Sequence, residues 1–360
     1  MASLRHVALG GVLVGGGAPV VVQSMTNTRT DDVEATLGQT RALATAGAAV
    51  VRLAVPTPAA AATLPVLVAE APVPLVADIH FDYRLAVAAV EAGVAGVRLN
   101  PGNIGGRAAV AEVVAAARER GTVIRVGVNA GSLERDLRGW EEQDPAAALV
   151  ESACRNVGML EDLGFEAIKV SVKSSSPMVT IAANRQLAEA VPHPLHIGLT
   201  EAGTPRLGAV RSAVALGVLL AEGIGDTIRV SLTGDPLEEI PVAVEILRSL
   251  GLMRRGPRLI SCPTCGRTEI DLARLAGEVE ARLDEVAGDL EIAVMGCVVN
   301  GPGEARKADF GIAGGRGEGV IFAHGRPVKK VPQECLVDEL FGLIAATGAT
   351  GREQMEGGDE

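Results

Sequence analysis

The sequence predicts an α/β architecture, an N-terminal (β/α)8 TIM barrel followed by a small α+β domain, and three observations predict it. Between residue 19 and about residue 250, eight short β-branched runs each precede an Ala- and Leu-rich helical stretch. Eight βα units in roughly 250 residues are the dimensions of a closed parallel barrel, whereas an open doubly wound sheet uses fewer repeats. Polar residues gather at the C-terminal ends of these runs, the face on which barrel enzymes carry their chemistry. Beyond residue 250 the pattern changes: Arg254-Arg255-Gly256-Pro257 reads as a linker, and a Cys-x-x-Cys turn follows it. The expected boundaries are 1–252 for the barrel, 258–350 for the small domain and 351–360 for a polar, disordered tail.

In chain order, the expected strands are 20–25, 49–55, 75–80, 96–100, 123–129, 167–173, 195–201 and 227–232. Upstream of them, the apolar run from Val7 to Val14 follows Arg5 but is broken by Gly10 and Gly11, unlike a signal-peptide core. No uninterrupted apolar run reaches the roughly 18 residues that span a bilayer. The small domain reads as a helix over 269–286, a strand over 291–295, a loop bearing Cys297, short strands at 310–313 and 320–323, and a final helix over 334–346. The segment Gly314-Gly315-Arg316-Gly317-Glu318-Gly319 imitates a dinucleotide-binding loop. That fingerprint needs a helix after it, and Val320-Ile321-Phe322 reads as a strand, so the segment is assigned a hairpin turn and no ligand.

With 360 residues, 48% of them hydrophobic, the chain can bury one large core and one small one. A net charge of -11 and only 2% aromatic residues disfavour nucleic-acid binding, since phosphate backbones are repelled and stacking platforms are few. An anionic small molecule therefore requires a local cluster of cations. The strand ends supply one: Ser24 with Asn27, Arg52, Asp78 with His80, Arg98 with Asn100, Arg125 with Asn129, Lys173, Glu201, and Arg229 with Ser231. Side chains alternate faces along a strand, so the pairs 78/80, 98/100, 125/129 and 229/231 each point one way, here taken as inward. Singly, each residue has a plain explanation as a snorkelling charge or a cap. Together, Arg52, Arg98, Arg125, Lys173 and Arg229 suit phosphate, and their number suits a diphosphate. Glu201, a carboxylate among cations, fits proton transfer. His80 serves either that role or the positioning of Asp78.

Five cysteines are present. Cys154 falls in an apolar helical run and Cys335 opens the last helix, so both are expected to be inert core residues. Cys262 and Cys265 share a tight Cys-Pro-x-Cys turn, and Cys297 stands on a Gly-rich loop. A lone Cys-x-x-Cys pair reads first as zinc or a redox disulfide. Structural zinc closes with a fourth Cys or a His, and none stands beside Cys297. A cubane iron-sulfur cluster accepts three thiolates and a weaker ligand, for which Glu304 is the candidate. Three thiols left over from pairing suit a reducing compartment, and the cytoplasm is the expected location.

The stretches VQSMTNT (22–28), VRLAVP (51–56), VADIHFDYRLA (76–86), RLNPGNIG (98–105), VGVNAGSLE (126–134), HIGLTEAG (196–203), GIGDTIRVSLTGDP (223–236), SCPTCGRTEIDL (261–272) and MGCVVNGPGEA (295–305) together resemble the IspG (GcpE) family, in its bacterial two-domain form. The resemblance covers nearly the whole chain. It implies reductive ring opening and dehydroxylation of 2-C-methyl-D-erythritol 2,4-cyclodiphosphate to 4-hydroxy-3-methylbut-2-en-1-yl diphosphate, in the methylerythritol phosphate route to isoprenoids. It also implies a 4Fe-4S cluster on Cys262, Cys265, Cys297 and Glu304, substrate binding by Arg52, Asp78, His80, Arg98, Asn100, Arg125, Asn129, Lys173, Arg229 and Ser231, and an acid-base carboxylate at Glu201. A flavodoxin or ferredoxin donor and a head-to-tail homodimer with shared active sites are implied as well. Arg29 and Ser174-Ser175-Ser176-Pro177 depart from the family pattern. The rival readings are a Schiff-base aldolase-like barrel using Lys173 with a zinc-bound accessory domain, and a non-catalytic metal-bearing scaffold.

Overall fold

Helix starts in the barrel follow directly from residue chemistry. Thr57, Asp144 and Ser176 each precede a proline and accept a hydrogen bond from the backbone N–H of Ala60, Ala147 and Val179, respectively. Such a residue satisfies a donor that the first helical turn leaves unpaired, and proline at the next position has no N–H to leave. The Ser174–Pro177 departure from the family pattern is thus a capped helix start. Arg29, the other departure, is tied to Asp31 at 2.8 Å.

The computed structural model describes residues 3–253, 256–297, 305–315 and 317–348. Glu304, the rest of the 298–304 loop, Arg254-Arg255 of the expected linker and the 351–360 tail lie outside the described residues. The chain divides into two compact units, Met1–Met253 and Arg254–Glu360.

The first unit opens with β1 (His6–Leu9) and β2 (Val12–Gly15), then alternates β3 (Val21–Met25), α1 (Val33–Ala46), β4 (Val50–Ala54), α2 (Pro58–Glu70), β5 (Leu75–Asp78), α3 (Tyr83–Glu91), β6 (Gly96–Leu99) and α4 (Gly106–Arg120). It continues with β7 (Val123–Asn129), α5 (Arg138–Glu141), α6 (Pro145–Glu161), β8 (Ile168–Lys173), α7 (Pro177–Ala190), β9 (His196–Ile197), α8 (Pro205–Ala221), β10 (Thr227–Ile228) and α9 (Glu239–Ser249). Strands β3 to β10 form one eight-stranded parallel sheet in the order β8-β7-β6-β5-β4-β3-β10-β9. A bridge between Val170 of β8 and Leu195, next to β9, brings its two ends together. The barrel expectation is borne out.

Two differences matter for the site. The expected strands 195–201 and 227–232 are paired over only two residues each. Beyond them the backbone leaves the ladder: Leu232 N–H donates to a Glu239 side chain, and Glu201 takes φ 52. The sequence reading also missed the β1–β2 hairpin, which turns on Gly10 and Gly11 with φ 57 and 90, the left-handed geometry of a tight two-residue turn. Val7, Leu9 and Val14 of this hairpin pack in one cluster with Val21, Val50, Val76 and Val123, which lie at the N-terminal ends of barrel strands. The hairpin plugs that end, leaving the opposite end for chemistry.

The second unit is a five-stranded sheet of β11 (Arg258–Ser261), β12 (Glu291–Met295), β13 (Phe310–Gly314), β14 (Glu318–Ala323) and β15 (Arg326–Pro332), in that order, with α10 (Leu272–Ala281) and α11 (Leu336–Thr347). The first three strands are parallel and the rest antiparallel. Phe310, Ile292, Ile312, Leu336 and Leu340 build its core. The edge strands β11 and β15 were not anticipated, because neither buries alternate residues strongly enough to write a period-two pattern. The expected 269–286 helix is shorter, since Asp271 caps the backbone at Arg274 N–H. Gly314 pairs with Gly319 across the β13–β14 connection, as a hairpin requires. Cys154 and Cys335 are half-buried, not core residues; one lies on the solvent-facing side of α6 and the other just before α11.

Candidate active site

At the C-terminal end of the barrel strands is a cavity of about 140 Å³, lined by Arg52, Asp78, His80, Arg98, Arg125, Asn129, Lys173, Arg229 and Ser231 together with Gly127, Val128, Ser171, Leu199 and Thr200. Nine of the sequence-predicted residues meet there. Asp78 is the hub: Oδ1 accepts from Arg98 Nη1 at 3.2 Å, Oδ2 lies 3.3 Å from His80 Nε2, and Arg52 Nε is 3.9 Å away. Burial alone raises the Asp78 carboxyl, but the His80 hydrogen bond and the charges of Arg52, Arg98 and Arg125 outweigh it, holding Asp78 far below the usual carboxylate range.

The cations carry the opposite strain. Burial, then repulsion from Arg229, pushes Arg52 down to about 9, still fully charged at neutral pH. Arg125 is driven well down by burial and by Arg52 and Arg98. Lys173 is shifted in the same direction by burial and by Arg125, Arg229, Arg52 and Arg98. Several donors have no hydrogen-bond partner among the described residues: Arg98 Nε, and Arg125 Nε and Nη2. Buried donors are normally satisfied, so unfilled ones grouped in a cationic cavity suit an incoming polyanion. Glycine makes the space: a Cβ on Gly127 would stand 2.5 Å from Arg98 Nε, and one on Gly198 would stand 2.7 Å from Lys173 Nζ.

Other predicted residues fall elsewhere. Asn100 is buried but does not line the cavity, and β6 ends one residue before it, at Leu99. Its Oδ1 accepts from Gly102 N–H at 3.1 Å and its Nδ2 donates to Ser132 O, so it caps the turn after β6 instead of facing inward with Arg98. Asn27 pairs with Gln39 of α1. Ser24 is buried and donates to Glu239. Glu201 is exposed, immediately after the cavity-lining Thr200, in a left-handed conformation that an L-residue adopts at a cost of about 1–2 kcal/mol.

Sequence reasoning missed a polar layer deeper in the barrel. Lys169, 1% exposed, pairs in register with Arg125 and donates to Thr227 Oγ1 at 3.2 Å. His196 and Gln23 are buried, and none of their side-chain nitrogens or oxygens has a hydrogen-bond partner among the described residues. Arg52 also donates from Nε and Nη2 to Met25 Sδ, at 3.0 and 2.9 Å. The inward parity that selects Lys173 also selects Ser171 and Lys169; the reading stopped at the strand ends. Burial, then repulsion from Arg125, lowers Lys169 to about 7 against 10.5 in the unfolded chain. Between those values the unfolded chain binds a proton that the folded chain lacks, so stability rises with pH across this window and the penalty is complete below it. Lys169→Met is expected to stabilise the fold by roughly 1–4 kcal/mol near neutral pH, with the gain shrinking towards about pH 10. Urea midpoints at several pH values check this; a gain independent of pH, or a loss, would contradict it.

In the second unit, Cys262 and Cys297 follow the C-terminal ends of the paired strands β11 and β12, and Gly296 N–H donates to Cys262 Sγ at 3.2 Å. Backbone and side-chain hydrogen bonds from Arg267 lower the exposed Cys265 thiol. The donor chemistry fits a thiolate-bound cluster: the sulfurs are free, one accepts a backbone N–H and another leans towards thiolate. Among the described residues, no three His, Cys, Asp or Glu side chains stand grouped as a ready metal site. Glu304 lies outside them. Among the described residues no helix is long and apolar enough to cross a membrane.

Comparison with known proteins places the chain. The barrel of dihydropteroate synthase from Burkholderia cenocepacia superposes with a TM-score of 0.50 at 13% identity, over 70% of this chain and 96% of that one, a likeness of fold. The 4-hydroxy-3-methylbut-2-en-1-yl diphosphate synthase (flavodoxin) of Geobacter sulfurreducens is 56% identical over 95% of this chain and 97% of its own length. The enzymes of that name from Clostridium perfringens and Nitratidesulfovibrio vulgaris are 54% and 58% identical, over 94% and 91% of this chain and 97% and 85% of their own lengths. The model of the GcpE TIM-barrel domain matches residues 4–244 and that of the GcpE protein C-terminal domain matches residues 258–346, so the chain belongs to the GcpE family.

Proposed function

We infer that this chain is an oxidoreductase that converts 2-C-methyl-D-erythritol 2,4-cyclodiphosphate to 4-hydroxy-3-methylbut-2-en-1-yl diphosphate by two-electron reductive ring opening and loss of a hydroxyl as water, with flavodoxin as electron donor. The observation that carries this reading is the cationic cavity in an acidic chain: five basic side chains around one carboxylate, with unfilled donors. Arg52, Arg98, Arg125, Lys173 and Arg229 hold the diphosphate, and Asn129 and Ser231 add neutral hydrogen bonds. Asp78 holds Arg52, Arg98 and His80 in place. A bound diphosphate reverses the charge environment of Lys173 and favours its ammonium form. Glu201 supplies the proton with which the hydroxyl leaves as water, and His80 is the second group at the mouth able to do so. Asn100 acts by shaping the turn after β6.

Residues 1–252 are assigned to substrate binding and 258–350 to electron transfer, with 351–360 as a tail. Cys262, Cys265 and Cys297 would hold a 4Fe-4S cluster, with Glu304 as the exchangeable fourth ligand. When bound, the cluster supplies the two electrons singly at a low potential. The chain works as a homodimer with the active site shared between chains, a reading supported by the short linker and the family resemblance, and free thiols suit the cytoplasm. The aldolase-like alternative is not favoured, since the family relatives carry the synthase name.

Arg125→Ala tests the assignment. It removes charge-assisted phosphate contacts and is expected to weaken substrate binding by roughly 1.5–3 kcal/mol, with the absorption spectrum of the anaerobically prepared protein unchanged. An unaltered KM for the cyclic diphosphate would remove the cavity from substrate binding.

A further inference from the structure

We propose that Glu239 is a positioning residue of this site, holding Arg229 and the segment that bears Ser231 against the cavity without touching substrate; this rests on the reading that the cavity binds the diphosphate. Glu239 opens α9, is 4% exposed and does not line the cavity. Its Oε2 accepts from Ser24 Oγ on β3 at 3.0 Å and lies 3.7 Å from Arg229 Nε. Its Oε1 accepts from Leu232 N–H at 3.1 Å. One buried carboxylate therefore joins β3, α9 and the segment after β10.

That segment needs such a tie. The β10 ladder covers only Thr227 and Ile228, and Arg229 N–H makes the last bond of the strand, to Ile197 O at 3.0 Å. Ser231 lies between this bond and the Glu239 bond at Leu232, so its position at the cavity depends on both ends. Charge adds a second demand. Asp78 compensates Arg52 and Arg98 on one side of the cavity. Arg229, on another side, has Glu239 as its carboxylate. A guanidinium crowded by like charges and lacking that anion moves to where the potential is lower, which for Arg229 is towards solvent.

The test uses the cluster-loaded enzyme under anaerobic conditions, alongside calorimetric binding of inorganic diphosphate. Glu239→Gln keeps the shape and the acceptor for Leu232 but loses the charge. It is expected to raise KM and the diphosphate Kd about tenfold, as for loss of one charge-assisted contact, while kcat falls by a smaller factor and the cluster spectrum holds. Arg229→Gln alone is expected to weaken both constants at least as much, and the double variant to resemble Arg229→Gln, because the two act through one group. If Arg229→Gln leaves both constants unchanged, the substrate assignment of the cavity fails. If Arg229→Gln weakens them but Glu239→Gln does not, or the two effects add fully, the positioning role fails. Should Glu239→Gln not fold, Ser24→Ala, which removes one bond to Oε2, is read in the same assays. It is expected to raise both constants by about two- to fivefold, and unchanged constants would overturn the proposal.

Discussion

Cys297→Ser is expected to yield a colourless, inactive protein under anaerobic preparation, whereas Cys154→Ser and Cys335→Ser remain brown and active. Serine keeps the size of the side chain but replaces a thiolate donor by a hydroxyl that stays protonated and binds iron weakly, so a cluster resting on three thiolates loses a third of its protein sulfur ligands. The contrast with the other two cysteines follows from place: Cys154 sits on α6 of the barrel unit and Cys335 just before α11, each remote in sequence from the β11 and β12 ends that carry Cys262 and Cys297. Absorbance in the 400 nm region, iron and sulfide content, and turnover measure the outcome. A colourless parent protein that binds one equivalent of zinc and is active would sink the cluster assignment.

Glu201→Gln is expected to lower kcat by about 10²–10⁴-fold with KM largely preserved, the range that a positioned proton donor contributes. The substitution keeps shape and hydrogen-bonding reach and removes only the transferable proton. Two structural facts motivate the size of the effect: Glu201 follows a cavity-lining residue, and its backbone is held at φ 52, a conformation kept where surrounding structure overrides local preference. Full turnover in Glu201→Gln would pass the proton role to His80. Glu201→Ala, expected to be inactive by itself, and Cys297→Ser together also test the shared site. When Glu201→Ala and Cys297→Ser chains are co-expressed, about half of randomly paired dimers are mixed and each holds one site made of two sound halves, so about a quarter of sites recover. No recovery would leave each chain with its own site.

The barrel and most of its cavity are legible in the order of residues along the chain. Eight β-branched runs before eight helical stretches require only local periodicity to read, position at the run ends singles out Arg52, Asp78, Arg98, Arg125, Lys173 and Arg229, and parity adds a shared face for the pairs that include Asp78, Arg98, Arg125 and Arg229. The plugging hairpin was hidden because two four-residue strands around Gly10-Gly11 make too short a pattern, and β15 because an exposed edge strand writes no alternation. Asn100 escaped the parity rule since its strand ends one residue earlier and its side chain bonds the following turn. Which distant atoms meet is set by the closure of the barrel. Ser24 and Glu239 are 215 residues apart, and Lys169 and Thr227 are 58 apart. Periodicity reports which face a residue occupies on its own element. It carries no record of where closure of the sheet brings that face against another, so Glu239 and His196, and Thr227 as the partner of the inward-facing Lys169, became visible only once the barrel had closed around them.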